Sequence, residues 1–252
     1  MVVKNEVIEG PKTPNDFNCW FKAMNEFRQS ERQKINYSDV NYRRPELQWT
    51  QRDVLQPQMM VHDLDFYDYK THQYTVDKYV NRLKQRYGGI DSVLIWPTYP
   101  NIGIDNRNTD DMIRDMPHGI NGIKKMVSDF HRHNIKVLFP IHPWDQGTRD
   151  PGRDWSIILP KTMAEINADG LNGDTMLSVN KEYFDNSVRA LRPLALEPEL
   201  GLDRNGISDL AWNVMSWGYW NRFNYTRPMI SRNKWIETRH QVFSQLSNIF
   251  NF

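Results

Sequence analysis

From residue 58 onward, short runs rich in β-branched and aromatic residues alternate with amphipathic helical runs. That alternation is the strongest constraint on the fold. A strand followed by a helix of ten or more residues returns the chain to the same sheet edge, so consecutive strands lie parallel. The first strand is predicted over 58–66, with a helix over about 75–86 stopped by Gly88 and Gly89. The second covers 92–99, followed by a long loop and a helix over about 119–133. The third covers 136–142, with a helix near 161–167; the fourth covers 171–175, with a helix around 181–191. The fifth covers 194–199. Residues 212–218 read as a sixth strand or as the continuation of a helix from Ser208, and 228–233 as the next strand. A last helix is expected from Ile236 to about residue 248.

Seven strands, or six if 212–218 is helical, read as a (β/α)8 barrel of the TIM type or as a doubly wound sheet. No GxGxxG or phosphate-binding loop follows the first strand, which weakens the nucleotide-binding alternative. Polar and aromatic residues gather at the carboxyl ends of the strands, where barrel enzymes carry their sites. The expected fold class is therefore α/β, a (β/α)8 barrel truncated before its eighth strand. Residues 1–56 stand outside the rhythm as an N-terminal extension packing on a barrel domain of 57–252. Within the extension, Phe17, Trp20, Phe21, Met24 and Phe27 recur at helical spacing, predicting a helix over 16–32.

Composition narrows the function classes. Lysine plus arginine (32) nearly cancels aspartate plus glutamate (31), so no polyanion or anionic membrane is implied as a partner, and nucleic-acid binding is not expected. One cysteine, Cys19, excludes an internal disulfide framework. The start of the chain has no apolar core of a signal peptide, and no run approaches ~18 apolar residues. A cytoplasmic location is the default expectation, unless an N-terminal segment precedes this one.

The strand ends supply the candidate site: Asp63 and Asp65 after the first strand, Trp96 and Tyr99 after the second, and His142, Trp144 and Asp145 after the third. Asn172 and Asp174 follow from the fourth, Glu197 and Glu199 from the fifth, and Arg232 from the last. Sugars are polar at their edges and apolar on their faces, so acceptor side chains among aromatic rings suit them. Glycosidic hydrolysis needs two carboxyl groups flanking the bond. Asp174 is the expected nucleophile or base, and Glu197 or Glu199 the general acid. Glu197 is the deeper of the two glutamates. Asp169, beside Gly170, is expected to turn the chain into the fourth strand.

Asp63, Asp65, Trp96, Tyr99, His142, Trp144, Asp145, Asn172 and Arg232 would bind the sugar, with no metal and no cofactor required. A metal-dependent hydrolase using Asp63, Asp65, His142 and Asp145 is a lesser alternative, because no HxH or HExxH spacing is present. No serine lies in a GxSxG elbow.

In order along roughly residues 45–243, the segments QPQMMVHDLDFYD, RYGGIDSVLIWPTYPNIGIDNRN, MIRDMP, VLFPIHPWDQGTRDPG, ADGLNGDTM, LALEPE, LAWNVMSWG and KWIETRH resemble a largely uncharacterised group of (β/α)8 proteins. That group belongs to the glycoside hydrolase superfamily, and some of its relatives are associated with sulfatase-modifying-factor domains. The resemblance implies a glycosidase-like barrel in which Asp174, Glu197 and Glu199 fall where carbohydrate-active barrels keep functional carboxylates. It brings no catalytic assignment of its own, so the residue roles rest on the strand ends. Relatives continue past KWIETRH into a segment that would form an eighth strand; this chain ends in SQLSNIFNF. A non-catalytic carbohydrate- or partner-binding protein on the same scaffold is the competing expectation.

Overall fold

The computed structural model describes residues 3–4, 7–34, 36–38, 40, 43–97, 107–143, 152–176, 178–199 and 235–237. The chain divides into two compact units. One comprises residues 1–51, 175–179 and 198–252, and the other residues 52–174 and 180–197.

In the first unit, β1 (Val3–Lys4), β2 (Val7–Glu9) and β10 (Trp235–Glu237) form an antiparallel sheet in the order β1-β2-β10. Helix α1 (Phe17–Lys34) matches the predicted helix, and its start is held by the Thr13 hydroxyl donating to Asp16 Oδ2 at 2.8 Å. Its apolar face is only partly covered. Met24 is buried, whereas Phe17 is 49% and Phe21 44% exposed, their rings stacked at 5.7 Å. Ile236 and Glu237, expected to open a helix, instead pair with Ile8 and Val7. A β-branched residue next to an aromatic one suits a strand whenever a partner edge is present, and β2 provides it. The remainder of that expected helix, and the predicted strands at 212–218 and 228–233, lie outside the described residues.

The second unit contains the predicted alternation. Strands β3 (Gln58–Met60), β6 (Ser92–Trp96), β7 (Lys136–Ile141), β8 (Gly170–Gly173) and β9 (Ala195–Pro198) form one sheet in the order β3-β6-β7-β8-β9. The ladders from β3 to β8 are parallel, with Met59 opposite Ile95, Val93 opposite Val137 and Phe139 opposite Leu171. Each of these strands lies beside the previous strand of the sheet, with no reversal of order among the described residues. A doubly wound sheet needs such a reversal, and a barrel does not. The five strands do not close into one among the described residues.

Five helices belong to this sheet: α2 (Val76–Tyr87), α3 (Thr109–Arg114), α4 (Gly119–Arg132), α5 (Trp155–Ile166) and α6 (Lys181–Arg189). Helix α2 buries Val76, Tyr79, Val80 and Leu83, and α4 buries Ile123, Met126, Val127 and Phe130. Both sets follow the 3.6-residue period that puts one stripe on the sheet. Gly88 ends α2 in the left-handed region at φ 86, as the Gly-Gly stop predicts. Every residue of β6 is buried, which is why its sequence is uniformly apolar instead of alternating.

Several features differ from expectation. The first strand stops at Met60 and the chain turns, with Asp63 N–H donating to Met60 O at 3.0 Å. A short hairpin, β4 (Tyr67–Asp68) with β5 (Gln73–Tyr74), occupies the span before α2. Within the long loop after β6, α3 forms because Asn108 Oδ1 accepts the Asp111 N–H at 2.8 Å.

Helix α5 also begins six residues before the predicted start, at Trp155, and runs through Pro160. Asp154 caps it by accepting the Ser156 N–H at 2.7 Å. Proline has no N–H for the carbonyl four residues back, which is Ser156 O. That carbonyl accepts instead from Asn186 Nδ2 of α6 at 2.9 Å. Asn186→Ala is therefore expected to lower stability by about 1 kcal/mol, measurable by urea unfolding; an unchanged midpoint would mean solvent serves that carbonyl equally well.

Candidate functional site

The candidate residues divide between two levels of the sheet. At the carboxyl end of β7, His142 is buried, and its ring meets Trp96, the last residue of β6, edge-on at 4.9 Å. Burial lowers the His142 pKa to about 4, so the imidazole is neutral near pH 7. Asp174, directly after β8 and 4% exposed, extends the β7–β8 ladder through its N–H to Ile141 O at 3.0 Å. His142 Nε2 stands 3.9 Å from Asp174 Oδ2, which is proximity without a hydrogen bond. The Thr109 hydroxyl at the start of α3 donates to His142 O at 3.3 Å, tying that helix to the strand end.

One level deeper, Asn172 and Asp174 share a face of β8 by the two-residue period of a strand. Asn172 Nδ2 donates to Glu197 Oε2 at 3.1 Å. Glu197 is 2% exposed, and burial raises its pKa to about 8, with Asn172 opposing that rise and the charge of Asp53 adding to it. Its other contacts come from residues outside the predicted set. The Gln56 carboxamide, just before β3, lies between Glu197 and Ser92. With its nitrogen toward Glu197 it reaches Oε2 at 3.0 Å and Oε1 at 3.1 Å, and its oxygen then meets Ser92 Oγ at 3.1 Å. Asp53, just before Gln56 in the chain, is also buried, and burial raises its pKa to about 6. Asp53 is fixed beside Asp91, which accepts the Val54 and Leu55 N–H groups at 3.0 Å each.

The sheet thus curls far enough for a residue preceding its first strand to touch its last. No sequence signal announced this, because Asp53 and Gln56 sit in a polar stretch without periodicity and Ser92 in an otherwise apolar strand.

The remaining candidates are dispersed. Asp63 Oδ1 accepts the Asp65 N–H at 2.8 Å in a turn, and the Asp65 carboxylate forms an ion pair with Arg82 of α2. Glu199 lies in the first unit, where Oε2 accepts the Thr175 N–H at 2.6 Å. Tyr99, Trp144, Asp145 and Arg232 lie outside the described residues. No group of three or more His, Cys, Asp and Glu side chains gathers around a metal-sized point among the described residues. A cavity of about 450 Å³ opens between the β4–β5 hairpin and α4, lined by His72, Tyr74, His118, Asn121 and Lys125, and it includes none of the candidate residues.

Asp169 is placed differently from the turn residue its neighbour Gly170 suggested. It is 5% exposed and gathers four donors: His131 Nε2 at 2.6 Å, Lys136 Nζ at 3.1 Å, Arg192 Nη2 at 2.9 Å and the Val137 N–H at 2.9 Å. Burial alone would raise its pKa; the His131 hydrogen bond, with the His131 and Lys136 charges and the Val137 N–H, outweighs that and holds it below the ordinary value. This cluster sits at the amino ends of β7 and β8, away from His142 and Asp174.

No protein-family model matches the chain, and no curated protein matches it. Solved structures share part of its backbone course. An α-amylase from Lactobacillus plantarum is 13% identical with a TM-score of 0.44, over 68% of this chain and 54% of the amylase. An isomaltulose synthase from Klebsiella sp. LX3 is 12% identical with a TM-score of 0.41, over 67% of this chain and 49% of the synthase. The YdjI aldolase from Escherichia coli K12 is 10% identical with a TM-score of 0.35, over 78% of this chain and 80% of the aldolase. The chain spans about half the length of the amylase and the synthase.

No helix among the described residues is long and apolar enough to cross a membrane.

Proposed function

We propose that the protein is a carbohydrate-active enzyme that hydrolyses a glycosidic bond with Glu197 as general acid and Asp174 as nucleophile or base. The observation that carries the reading is the buried carboxyl of Glu197, held by Asn172 two residues before the equally buried Asp174, with burial raising the Glu197 pKa to about 8. Glycoside hydrolysis asks for a carboxyl that still holds its proton at neutral pH next to one that serves the anomeric centre. Asn172 fixes the acid in place by its hydrogen bond, and neutral His142 beside Asp174 offers a polar contact for a sugar hydroxyl without adding charge.

The test is turnover on an aryl-glycoside and oligosaccharide library. Asp174→Asn and Glu197→Gln are each expected to reduce kcat by roughly 10²–10⁴-fold. Activity should also fall as pH rises through about 8, where the acid loses its proton. Turnover unaffected by both substitutions would remove the assignment. Saturable glycan binding without any turnover would replace the enzyme with a binding protein on the same scaffold.

A further inference from the structure

A sugar ring needs an aromatic face that it can reach, and Trp96 does not offer one: it is 2% exposed and its ring meets His142 edge-on. Tyr69, in the segment that follows β3, is 47% exposed. Two bonds to one residue fix its position. Its hydroxyl lies 3.0 Å from His62 Nδ1 and donates to His62 O at 3.3 Å. Both form at once in the tautomer with the hydrogen on Nδ1, because the Tyr69 oxygen then accepts from the imidazole and donates to the carbonyl. Burial, and then the charge of Arg107, lower the His62 pKa, so the imidazole is neutral near pH 7 and its Nε2 is left as an acceptor.

The two rings form one surface. Their planes are 25° apart and their centroids 6.3 Å apart, and the hydrogen bond joins their edges, so they lie side by side instead of face on face. Tyr67, 5% exposed, meets both edge-on, 5.0 Å from Tyr69 and 6.5 Å from His62, and it is anchored opposite Tyr74 in the β4–β5 hairpin. The shelf is thus backed by a buried ring and open to solvent at Tyr69. A ring already held in place has little rotamer freedom left to lose on binding. Val61 N–H donates to Trp96 O at 3.1 Å, so β3 stays beside β6 up to the residue before His62. His62 therefore leaves the sheet at the carboxyl end of β3, the same end at which His142 and Asp174 leave β7 and β8.

We propose that Tyr69 and His62 form a saccharide platform, with the tyrosine ring lying against the apolar face of one sugar unit and His62 Nε2 accepting from one of its hydroxyls. The cation that acts on His62, Arg107, is paired with Asp115 at 3.3 Å, which favours a neutral ligand over an anion. The ligand class rests on the carbohydrate reading above. It does not rest on hydrolysis, because a binding protein on the same scaffold would use the platform equally.

The experiment titrates the full chain with one α-linked and one β-linked hexasaccharide of glucose, maltohexaose and cellohexaose, by calorimetry and by aromatic NMR. The Tyr69 and His62 ring signals are expected to shift saturably with at least one of the two. Tyr69→Ala should weaken that binding by about tenfold, and Tyr69→Phe, which keeps the ring, by about twofold. Where the hexasaccharide is cleaved, the same changes are read in KM. An affinity or KM unchanged in Tyr69→Ala overturns the platform and leaves the hydrolytic reading standing. Binding through Tyr69 without cleavage supports the platform and removes the hydrolase. Ring signals that stay constant under both sugars overturn the proposal without any variant, which decides the matter if the alanine substitution prevents folding.

Discussion

Replacing Asp169 with alanine is expected to destabilise the protein by roughly 3 kcal/mol. The carboxylate is buried and collects donors from three segments: His131 at the end of α4, Lys136 and Val137 at the start of β7, and Arg192 ahead of β9. Removing it leaves the Val137 N–H without its acceptor and sets a lysine and an arginine side by side. The cations are more exposed than the aspartate, at 36% for Lys136 and 28% for Arg192, so water recovers part of the loss.

Urea unfolding measures the effect. Asp169→Asn retains an acceptor and should lose about half as much. A loss below ~0.5 kcal/mol in the alanine variant would show that the cluster is solvated surface chemistry. The pH dependence has a definite sign. Because the folded-state pKa of Asp169 lies below its ordinary value of 3.8, its contribution is complete above that pH and disappears as pH falls through the folded value.

The interior carboxyls act in the opposite direction, and this is the second large effect. Glu197 is raised from 4.5 to about 8 and Asp53 from 3.8 to about 6, so the folded protein holds protons that the unfolded chain has released. Stability is then highest below the unfolded pKa values and declines as pH rises, levelling off above about 8. The decline attributable to Glu197 is of the order of a few kcal/mol. Unfolding free energies at intervals from pH 4 to pH 9 should show it, and Glu197→Gln should flatten it. A slope identical in wild type and variant would mean that the carboxyl ionises at its ordinary pH and is not desolvated.

Particular elements show what could be anticipated. Helices α2 and α4 were legible because burial of one face imposes a 3.6-residue period that survives in the sequence as Val76, Tyr79, Val80, Leu83 and as Ile123, Met126, Val127, Phe130. Strands β6 and β7 were legible as unbroken apolar runs for the converse reason, both faces being covered. The start of α5 was not legible. Pro160 normally breaks a helix, and only the Asn186 amide from a neighbouring helix makes its interior position tolerable. Asp174 and Glu197 could be nominated from their positions at the ends of apolar runs. Their surroundings could not, since Gln56 and Glu197 are separated by most of the second unit along the chain.

By itself the sequence determined the order and type of the main strands and helices of the second unit, and through them the parallel winding of β3 to β8, because local period and burial face are properties of neighbouring residues. The tertiary structure alone decided what the polar residues do. It made Asp169 the centre of a cation cluster instead of a turn, bound Glu199 to a backbone N–H, and enclosed Glu197 with Asn172, Gln56, Ser92 and Asp53. The charge state of a carboxyl depends on how much water it loses and which donors replace it, and both are set by residues that meet only after the sheet has curled.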